Sequence, residues 1–436
     1  MSTVTESSSS TNSSINSNSR YAFVPGGAPL PLIVSGDGCY LYEQDGRSIL
    51  DAGGGAILTN IGHGRVEVAD AVHAAMVKLD YVMPLWATPN RLALRDTLVD
   101  DWLPEGFNSV FFSSGGSESA DSALRLARAY HLANGRPERW KIVGRHPSYH
   151  GITLGAIAAG SHSGRRAGYE PLLIEFPKVS WNDPADVERV IVQEGPETIA
   201  GFLFEPVTGA SGACLVAGDE YWQAVNDICK KHDILLIADE VMTGFGRTGK
   251  TWGHQHFPVE PDVIYGGKGL GGGYVPMGMV VTTDRVTAAL DSIGGFMFFT
   301  FTGGDAMCAG AKAVLDILAR EQLVARVAEV GAQLERRLRM ELGDHRNVIE
   351  IRGKGLMLGI ELGQDRHSAT RYDPSTRFAA KVVAEALARG VWVYPAGSGP
   401  VQDAVMIGAP FIIGDTEIET IVTVLHEAID AAAGAV

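Results

Sequence analysis

Short apolar runs, each ended by glycine or polar residues, recur between residues 110 and 282 and predict buried strands. They are nearly continuous in apolar side chains, which is typical of parallel strands covered on both faces. Between them apolar residues follow helical spacing; Ala120, Ala123, Leu124 and Ala127 share one face of a predicted helix. The alternation predicts an α/β fold, with a mostly parallel sheet flanked by helices. The predicted strands are Val110–Phe112, Lys141–Val143, Phe202–Phe204, Ile234–Ile237, Val263–Tyr265 and Met277–Thr282.

The pattern differs on either side of this region. Before it, β-type runs at Cys39–Tyr42 and Ser48–Leu50 flank a turn and predict a hairpin. After it, a long helical stretch from Asp305 to about Leu342 precedes strands and helices that no longer alternate strictly, which indicates a smaller α+β domain. There we predict strands at Ile349–Arg352, Leu356–Leu362, Val391–Val393 and Val405–Ile407, and helices at Arg377–Ala388 and Asp415–Ala432.

The 436 residues exceed the roughly 250–300 at which single cores stop growing, so two linked domains are expected. We predict a large domain over residues 76–325, and a small domain that combines residues 326–436 with an N-terminal segment, residues 21–75. Residues 1–20 are mostly Ser, Thr and Asn, which predicts a disordered tail. A transit peptide is the alternative, but such peptides carry several arginines and this stretch has only Arg20.

Charge and cysteine usage narrow the function classes. With 36 Lys+Arg against 51 Asp+Glu, the net charge of −15 disfavours nucleic acid and anionic membrane surfaces as partners. No apolar run approaches the ~20 residues of a membrane span. The four cysteines are scattered and form no C-x-x-C pair, which argues against a metal centre and favours a reducing, cytoplasmic compartment.

A loop rich in serine and glycine, from Phe112 to Glu118, separates a predicted strand from the helix that contains Ala120. Free backbone N–H groups and the helix dipole make such a loop a ready anion site, and glycines let a ligand approach the main chain. Gly116 and Ser117 are therefore candidate anion-binding residues. The open alternative is a tight turn in which Ser117 is the N-cap.

Two acids, Asp239 and Glu240, follow the apolar run that ends at Ile237. A carboxylate at the end of a buried strand is costly unless it pairs with a cation, so Asp239 should have a positive partner. For Glu240, a surface acid in a loop remains an open alternative.

Lys268 follows a predicted strand and lies among six glycines. A partly buried lysine has a lowered pKa and can act as a nucleophile or Schiff-base former. A Walker A loop is excluded, because Asp262 and Gly269 stand where its first glycine and its Ser or Thr would be. A dinucleotide loop is excluded because a β-like run, and not a helix, follows Gly272.

Tyr149 lies in a loop after the strand at residues 141–143 and could stack on a planar ligand. Taken alone it could equally be an aromatic packed in the core beside a buried histidine. In combination, an anion loop, a stacking aromatic, an acid that needs a cation and a reactive lysine are the parts that hold pyridoxal phosphate. The combination predicts that cofactor.

From about Ser35 to its C-terminus the chain resembles the class III, fold-type-I pyridoxal-phosphate aminotransferases. The most specific match is Ile237–Lys250, which reads IADEVMTGFGRTGK. The resemblance implies a transaminase that moves an amino group from an ω-amino acid, a diamine or a primary amine to a keto acid such as pyruvate. Supporting matches are Glu205–Val207, Ser148–Gly151, the glycine-flanked Lys268, Thr300–Gly304 and Ile351–Leu356.

The resemblance also implies a role for each matching residue. Lys268 would form the Schiff base with the cofactor and then serve as the base. Asp239 would pair with the protonated ring nitrogen, which keeps the ring able to stabilise a carbanion. Val241 and Tyr149 would contact the two faces of the ring.

Further implied roles concern the phosphate and the oligomer. Gly116 and Ser117 would bind the phosphate through backbone N–H groups, and Thr300 would reach it from the neighbouring subunit of a homodimer with shared active sites. A tetramer of two such dimers is left open. Glu205 matches the family's acid near the phenolic oxygen of the cofactor and the substrate entrance.

The chain departs from many relatives at Met406, which stands where a carboxylate-binding arginine is common. Bidentate binding of a carboxylate needs the planar guanidinium, so methionine cannot replace it. Arg165 and Arg166 are candidate replacements, although a solvated basic pair is the competing interpretation. Trp86 is expected to border the substrate pocket, with a core tryptophan as the alternative.

Other reactions can use the same cofactor-binding residues. A racemase or a decarboxylase of the same family remains an alternative, since none of these residues excludes either reaction. A relative that binds the cofactor without catalysis is a further alternative, because fold does not imply function. The intact set of Lys268, Asp239 and Tyr149 argues against it.

Overall fold

A computed structural model describes residues 31–292 and 299–436. The predicted tail at residues 1–20, and the first ten residues of the N-terminal segment predicted at 21–75, lie outside the described residues. The described part of the chain starts with a small antiparallel sheet of β1 (Ile33–Asp37), β2 (Tyr40–Glu43) and β3 (Ser48–Leu50). The pairing of β2 with β3 confirms the predicted hairpin.

A seven-stranded sheet lies at the centre of the described chain. Its order is β4-β10-β9-β8-β7-β5-β6, and β5 to β9 pair in parallel, which confirms a mostly parallel α/β sheet. Its strands are β4 (Phe107–Ser113), β5 (Lys141–His146), β6 (Lys178–Ser180), β7 (Ile199–Phe204), β8 (Leu235–Asp239), β9 (Val263–Gly266) and β10 (Gly278–Thr283).

Two details of this sheet differ from the prediction. The strand β10 runs antiparallel to both β4 and β9, because an apolar run records burial and not direction. The edge strand β6 was missed, since it has three residues and only Val179 is buried.

Helices cover the sheet and join its strands. They are α1 (Gly54–Ile57), α2 (Val66–Lys78), α3 (Pro89–Thr97), α4 (Gly116–Ala133), α5 (Leu154–Ala159), α6 (Ser163–Arg166), α7 (Pro184–Glu194), α8 (Asp219–His232) and α9 (Asp284–Ser292). The helix predicted around Ala120 is α4, whose alanines 120, 123 and 127 are buried. None of the described helices combines the length and the apolar character needed to span a bilayer.

The C-terminal part contains a four-stranded antiparallel sheet of order β11-β12-β14-β13 with helices, as the α+β prediction requires. Its elements are α10 (Asp305–Arg320), α11 (Leu323–Leu342), β11 (Val348–Lys354), β12 (Met357–Leu362), α12 (Phe378–Ala388), β13 (Tyr394–Ser398), β14 (Val401–Ile407) and α13 (Asp415–Gly434). The domain boundaries at residues 75 and 325 stay predictions.

Two predictions in this part were wrong in detail. The long helix from Asp305 to Leu342 is two helices, because Gln322 adopts a left-handed conformation with φ of 53° and ends the first. Residues 391–393 make one isolated bridge, from Val391 to Leu50, and the strand begins at Tyr394 instead.

Arg247 joins the two parts of the fold. The residue is 2% exposed, and its guanidinium donates to the carbonyl oxygens of Thr59, Leu356 and Ala409 and lies 4.6 Å from the ring centre of Phe411. Burial lowers the pKa of this guanidinium to about 9. The loop after β8 is thereby fixed to the N-terminal segment and to the loop after β14.

Candidate active site

The predicted site residues meet at one edge of the central sheet. The strands β5, β7, β8 and β9 are parallel, and β4 points the same way because the antiparallel β10 separates it from β9. Their carboxyl ends therefore lie together, which is where open α/β sheets bind ligands. There they surround a cavity of about 160 Å³. Its lining includes Gly116, Ser117, Tyr149, His150, Gly151, Glu205, Val207, Asp239, Val241, Met242, Thr243 and Lys268.

Lys268 starts a short 3-10 turn directly after β9, with a φ of 36° that L-residues seldom adopt. Its Nζ atom has no hydrogen-bond partner in the part of the chain that the structure describes. Burial lowers the pKa of its ammonium group from 10.5 to about 8, although Asp239 and Glu205 act in the opposite direction. A neutral amine is therefore accessible near physiological pH.

Asp239, the last residue of β8, is held by three donors. Its Oδ2 atom lies 2.7 Å from the hydroxyl of Tyr265 and 2.8 Å from Nδ1 of His150. Its Oδ1 accepts the backbone N–H of Val241 at 3.0 Å. The Nε2 atom of His150 is buried and has no partner within residues 31–292 and 299–436. Neither His150 nor Tyr265 is among the site residues predicted from the sequence.

The surface alternative for Glu240 is wrong. Its side chain is fully buried and accepts from the backbone N–H groups of Gly253 and His254, each at 2.8 Å. Nδ1 of His254 lies 2.7 Å from it, and the hydroxyl of Thr243 donates to it as well. This acid holds the loop after β8 together.

The anion loop forms the start of α4. Gly115 is the N-cap residue, and Ser117 does not cap the helix, since its Oγ accepts the N–H of Ile152 at 3.0 Å. The first N–H groups of a helix have no partners within it and attract anions. A Cβ atom on Gly116 would lie 3.0 Å from Val241, so a side chain there would press on the residue expected against the cofactor ring.

Tyr149 and Glu205 form another wall of the cavity. Glu205 is 5% exposed and accepts the N–H of Tyr149 at 3.0 Å and of Gly209 at 2.7 Å. Burial raises the pKa of the Glu205 carboxyl, and it also raises the pKa of the Tyr149 hydroxyl, which Arg165 partly offsets. The core alternative for Tyr149 holds only in part, because its side chain reaches the cavity while the adjacent His150 is buried.

The predicted substrate residues are placed differently from one another. Arg165 is exposed and borders a small cleft beside Tyr149. Arg166 donates to the carbonyl oxygens of Ile157, Ala158 and Gly160 and pairs with Glu175 at 2.9 Å, which makes it a local brace.

Trp86 and Thr300 lie outside the cavity. Trp86 is 66% exposed and lines a separate groove with Arg91 and Thr302, and Thr300 is exposed in a turn. Met406 is fully buried in an apolar cluster with Val207 and Met242, two residues that line the cavity.

Comparisons with known proteins agree with this geometry. The sequence matches the family described as "Aminotransferase class-III" over residues 24–429. The putrescine–pyruvate aminotransferase of Pseudomonas aeruginosa is 32% identical, over 93% of this chain and 91% of that protein. The hypotaurine/taurine–pyruvate aminotransferase of Paracoccus denitrificans is 34% identical, over 83% of this chain and 82% of that protein.

Solved structures give the same result. The (S)-enantioselective omega-transaminase of Thermomicrobium roseum has a TM-score of 0.87 and 34% identity, over 93% of each chain. The omega-transaminase of Pseudomonas jessenii, solved in complex with PMP, has a TM-score of 0.87 and 28% identity, over 93% of this chain and 94% of that one.

The fold and the family match define a pyridoxal-phosphate-dependent transaminase, which transfers an amino group from an amine to a keto acid. The chain belongs to the class III aminotransferase family.

Proposed function

We propose that the cavity beside Lys268 is the active site, and that the donor is an ω-amino acid, a diamine or a hydrophobic primary amine. The observation that carries the proposal is that seven predicted cofactor residues, Lys268 among them, line one cavity. Pyridoxal phosphate, when bound, supplies an aldehyde that condenses with amines and a ring that withdraws electrons from the neighbouring carbon.

The residues around the cavity fit this cofactor from end to end. The N-terminus of α4, at Gly116 and Ser117, suits the phosphate, and Oδ1 of Asp239 accepts only one hydrogen bond from the described residues, which leaves a lone pair for the ring nitrogen. Val241 and Tyr149 line the same cavity. The residues therefore offer an anion site, two ring contacts and a carboxylate in one cavity.

Lys268 does the proton chemistry in this proposal. Its Nζ would hold the cofactor and, once a substrate amine had taken its place, would be the base that removes the proton from the amine-bearing carbon of the substrate. This needs a neutral amine, which the pKa of about 8 supplies near neutral pH. Asp239 keeps the ring nitrogen paired with a negative charge throughout.

The donor class follows from one apolar part of the cavity wall. Met406 packs behind Val207 and Met242, so this wall presents apolar atoms where a carboxylate clamp is common in relatives. The side chain of Arg165, beside Tyr149, makes no hydrogen bond or ion pair with the described residues and suits a more distant carboxylate of an ω-amino acid. Relatives that act on putrescine or on hypotaurine and taurine, with pyruvate, support this donor range and this acceptor.

The enzyme is also proposed to be a homodimer with shared active sites. An exposed apolar surface supports this, formed by Tyr81, Leu85, Trp86 and Phe301, which we call the Trp86–Phe301 surface. The guanidinium of Arg91 fixes it by donating to the carbonyl oxygens of residues 84, 86 and 303. Exposed Thr300 lies in the same segment as Phe301, so a partner subunit bound there would receive its hydroxyl.

A cytoplasmic location is proposed from the cysteines. Cys39, Cys214, Cys229 and Cys308 are all buried and free in the described chain, which suits a reducing compartment.

The test is to record the visible absorbance of the protein with pyridoxal phosphate and then to add amines without an acceptor. A suitable panel is β-alanine, putrescine and 1-phenylethylamine. A yellow band that bleaches establishes the first half-reaction and identifies the donor class. A band that persists with every amine indicates a donor outside this panel, a racemase or a decarboxylase, and the absence of a band would refute the assignment of Lys268.

The same panel tests Arg165. We expect Arg165→Met to raise the KM for β-alanine roughly 10-fold, since it removes a charged partner of the carboxylate, and to leave the KM for 1-phenylethylamine unchanged. Equal effects on both donors would remove Arg165 from the substrate site.

A further inference from the structure

Tyr265 is a fully buried tyrosine in β9, beside Asp239. In the parallel pairing of β8 with β9 the two residues are register partners, so both side chains point to the same side of the sheet. The Tyr265 hydroxyl lies 2.7 Å from Oδ2 of Asp239. A buried tyrosine hydroxyl needs a polar partner, and here the partner is the acid expected to face the cofactor ring.

The direction of each hydrogen bond follows from the chemistry of the carboxylate. An ionised carboxylate only accepts, so Nδ1 of His150, 2.8 Å from Oδ2, must carry a proton and donate. The Tyr265 hydroxyl donates to the same oxygen, and its 3.3 Å separation from Nδ1 of His150 is then a contact between two donors. Burial raises the pKa of the Tyr265 hydroxyl well above its ordinary value, so it keeps its proton.

The two oxygens of Asp239 thus differ. Oδ2 takes two side-chain donors, whereas Oδ1 takes the single N–H of Val241 at 3.0 Å. A proton on Oδ2 would have to displace Tyr265 or His150, so this pattern is complete only for the unprotonated carboxylate. The other charged groups nearby are Glu205 and Lys268, neither of which hydrogen-bonds Asp239.

We propose that Tyr265 is a positioning residue that holds Asp239 unprotonated, with Oδ1 directed at the ring nitrogen of the cofactor. This inference rests on the proposed function, because it takes the Lys268 cavity as the cofactor site. Without the hydroxyl, Oδ2 of Asp239 keeps one side-chain donor where it now has two. The proton shared with the ring nitrogen then moves toward Asp239, and the ring withdraws electrons less strongly.

The experiment compares Tyr265→Phe with Tyr221→Phe as holoenzymes. Tyr221 is also buried, but its hydroxyl donates to the backbone carbonyl of Ser180 at 3.3 Å, away from the cavity. Each variant is loaded with pyridoxal phosphate labelled with 15N in the ring, and the 15N chemical shift reports where the proton lies. Pre-steady-state bleaching by a donor amine gives kcat and KM for the half-reaction.

In Tyr265→Phe we expect the 15N signal to move toward the value of an unprotonated ring nitrogen. Loss of one hydrogen bond to a charged group should lower kcat about 10-fold, with KM changed less than about 2-fold. Tyr221→Phe should match the wild type in both measurements. An unchanged 15N signal in a folded, loaded Tyr265→Phe enzyme would overturn the proposal.

A second replacement keeps the test decisive if Tyr265→Phe does not fold. Incorporation of 3,5-difluorotyrosine at position 265 retains the ring and makes the hydroxyl a stronger donor, so the 15N signal should move toward the protonated value. No movement would overturn the inference about Tyr265 alone. Failure of the wild type to form a coloured holoenzyme would instead overturn the proposed function.

Discussion

Asp239 and Glu240 are adjacent acids, and each pairs with a histidine. The two acid–histidine pairs differ in how many of their hydrogen-bonding atoms have partners. Glu240 and His254 lie inside a loop that directs two backbone N–H groups and one hydroxyl at the carboxylate, besides the ring of His254. Asp239 and His150 face the cavity, and the Nε2 atom of His150 has no partner among the described residues. Buried polar groups are normally paired, so the incomplete cluster marks the ligand site and the complete one marks structure.

The largest expected effect separates two partly buried lysines, Lys268 and Lys178. Lys268→Ala should abolish the absorbance change with amines and lower kcat by at least about 1000-fold, because the base is lost. Lys178 is the matched control, since burial lowers its pKa to about 8 as well, but its Nζ donates to the carbonyl oxygens of Ala158 and Phe176 at 3.0 and 2.8 Å. Lys178→Met should lower the free energy of unfolding by about 1–3 kcal/mol and leave kcat within about 2-fold. Equal losses of activity would contradict the comparison.

Substitutions of Asp239 and Glu240 test the comparison of the two acids directly. Asp239→Asn should lower kcat about 100-fold or more, through loss of the charge opposite the ring nitrogen, with little change in thermal stability. Glu240→Gln directs an amide N–H at existing donors and should cost about 2–4 kcal/mol of stability, with kcat per folded molecule within about 3-fold. Urea unfolding and single-turnover bleaching measure the two quantities. A stable but inactive Glu240→Gln enzyme would show that the complete cluster also serves catalysis.

A third test of the comparison concerns the pH dependence of Lys268. Because the pKa of Lys268 is lowered to about 8, the cofactor-free protein should capture pyridoxal phosphate at a rate that rises about 10-fold per pH unit below pH 8 and levels off above it. Between pH 8 and the unfolded value of 10.5 the unfolded chain binds more protons at this position, so Lys268 makes the free energy of unfolding rise with pH there. Lys268→Met should remove that contribution. Stopped-flow absorbance from pH 6 to pH 9.5 gives the capture rate, and a rate that still rises about 10-fold per pH unit up to pH 9.5 would refute the lowered pKa.

Much of the fold follows from the sequence, because apolar periodicity reports burial. The central strands and the α4 helix were predicted at nearly the right positions for that reason. Periodicity carries no information on strand direction, so the antiparallel β10 was not expected. Periodicity also does not predict the backbone conformation of a single residue, such as the left-handed Gln322 between α10 and α11.

The sequence predicted those site residues whose side chains are seldom used for structural purposes alone. A lysine among glycines and an aspartate at the end of a buried strand have few purely structural roles, so a chemical role could be predicted for Lys268 and Asp239. Both residues line the cavity. Glu240 was open to a surface interpretation because its four donors come from residues 243 to 254, which fold back only in three dimensions. Tyr265 could have been found from one signal, a tyrosine within a buried strand whose hydroxyl must have a partner.

The guanidinium of Arg247 has a consequence for the lifetime of the folded enzyme. Its acceptors include Thr59 and Ala409, which lie 188 and 162 residues away along the chain. Contacts of such long sequence separation close late in folding, after the loops between them have been ordered. We therefore expect this charge to be buried on the native side of the folding barrier. Arg247 is accordingly expected to slow unfolding and to have little effect on the rate of folding.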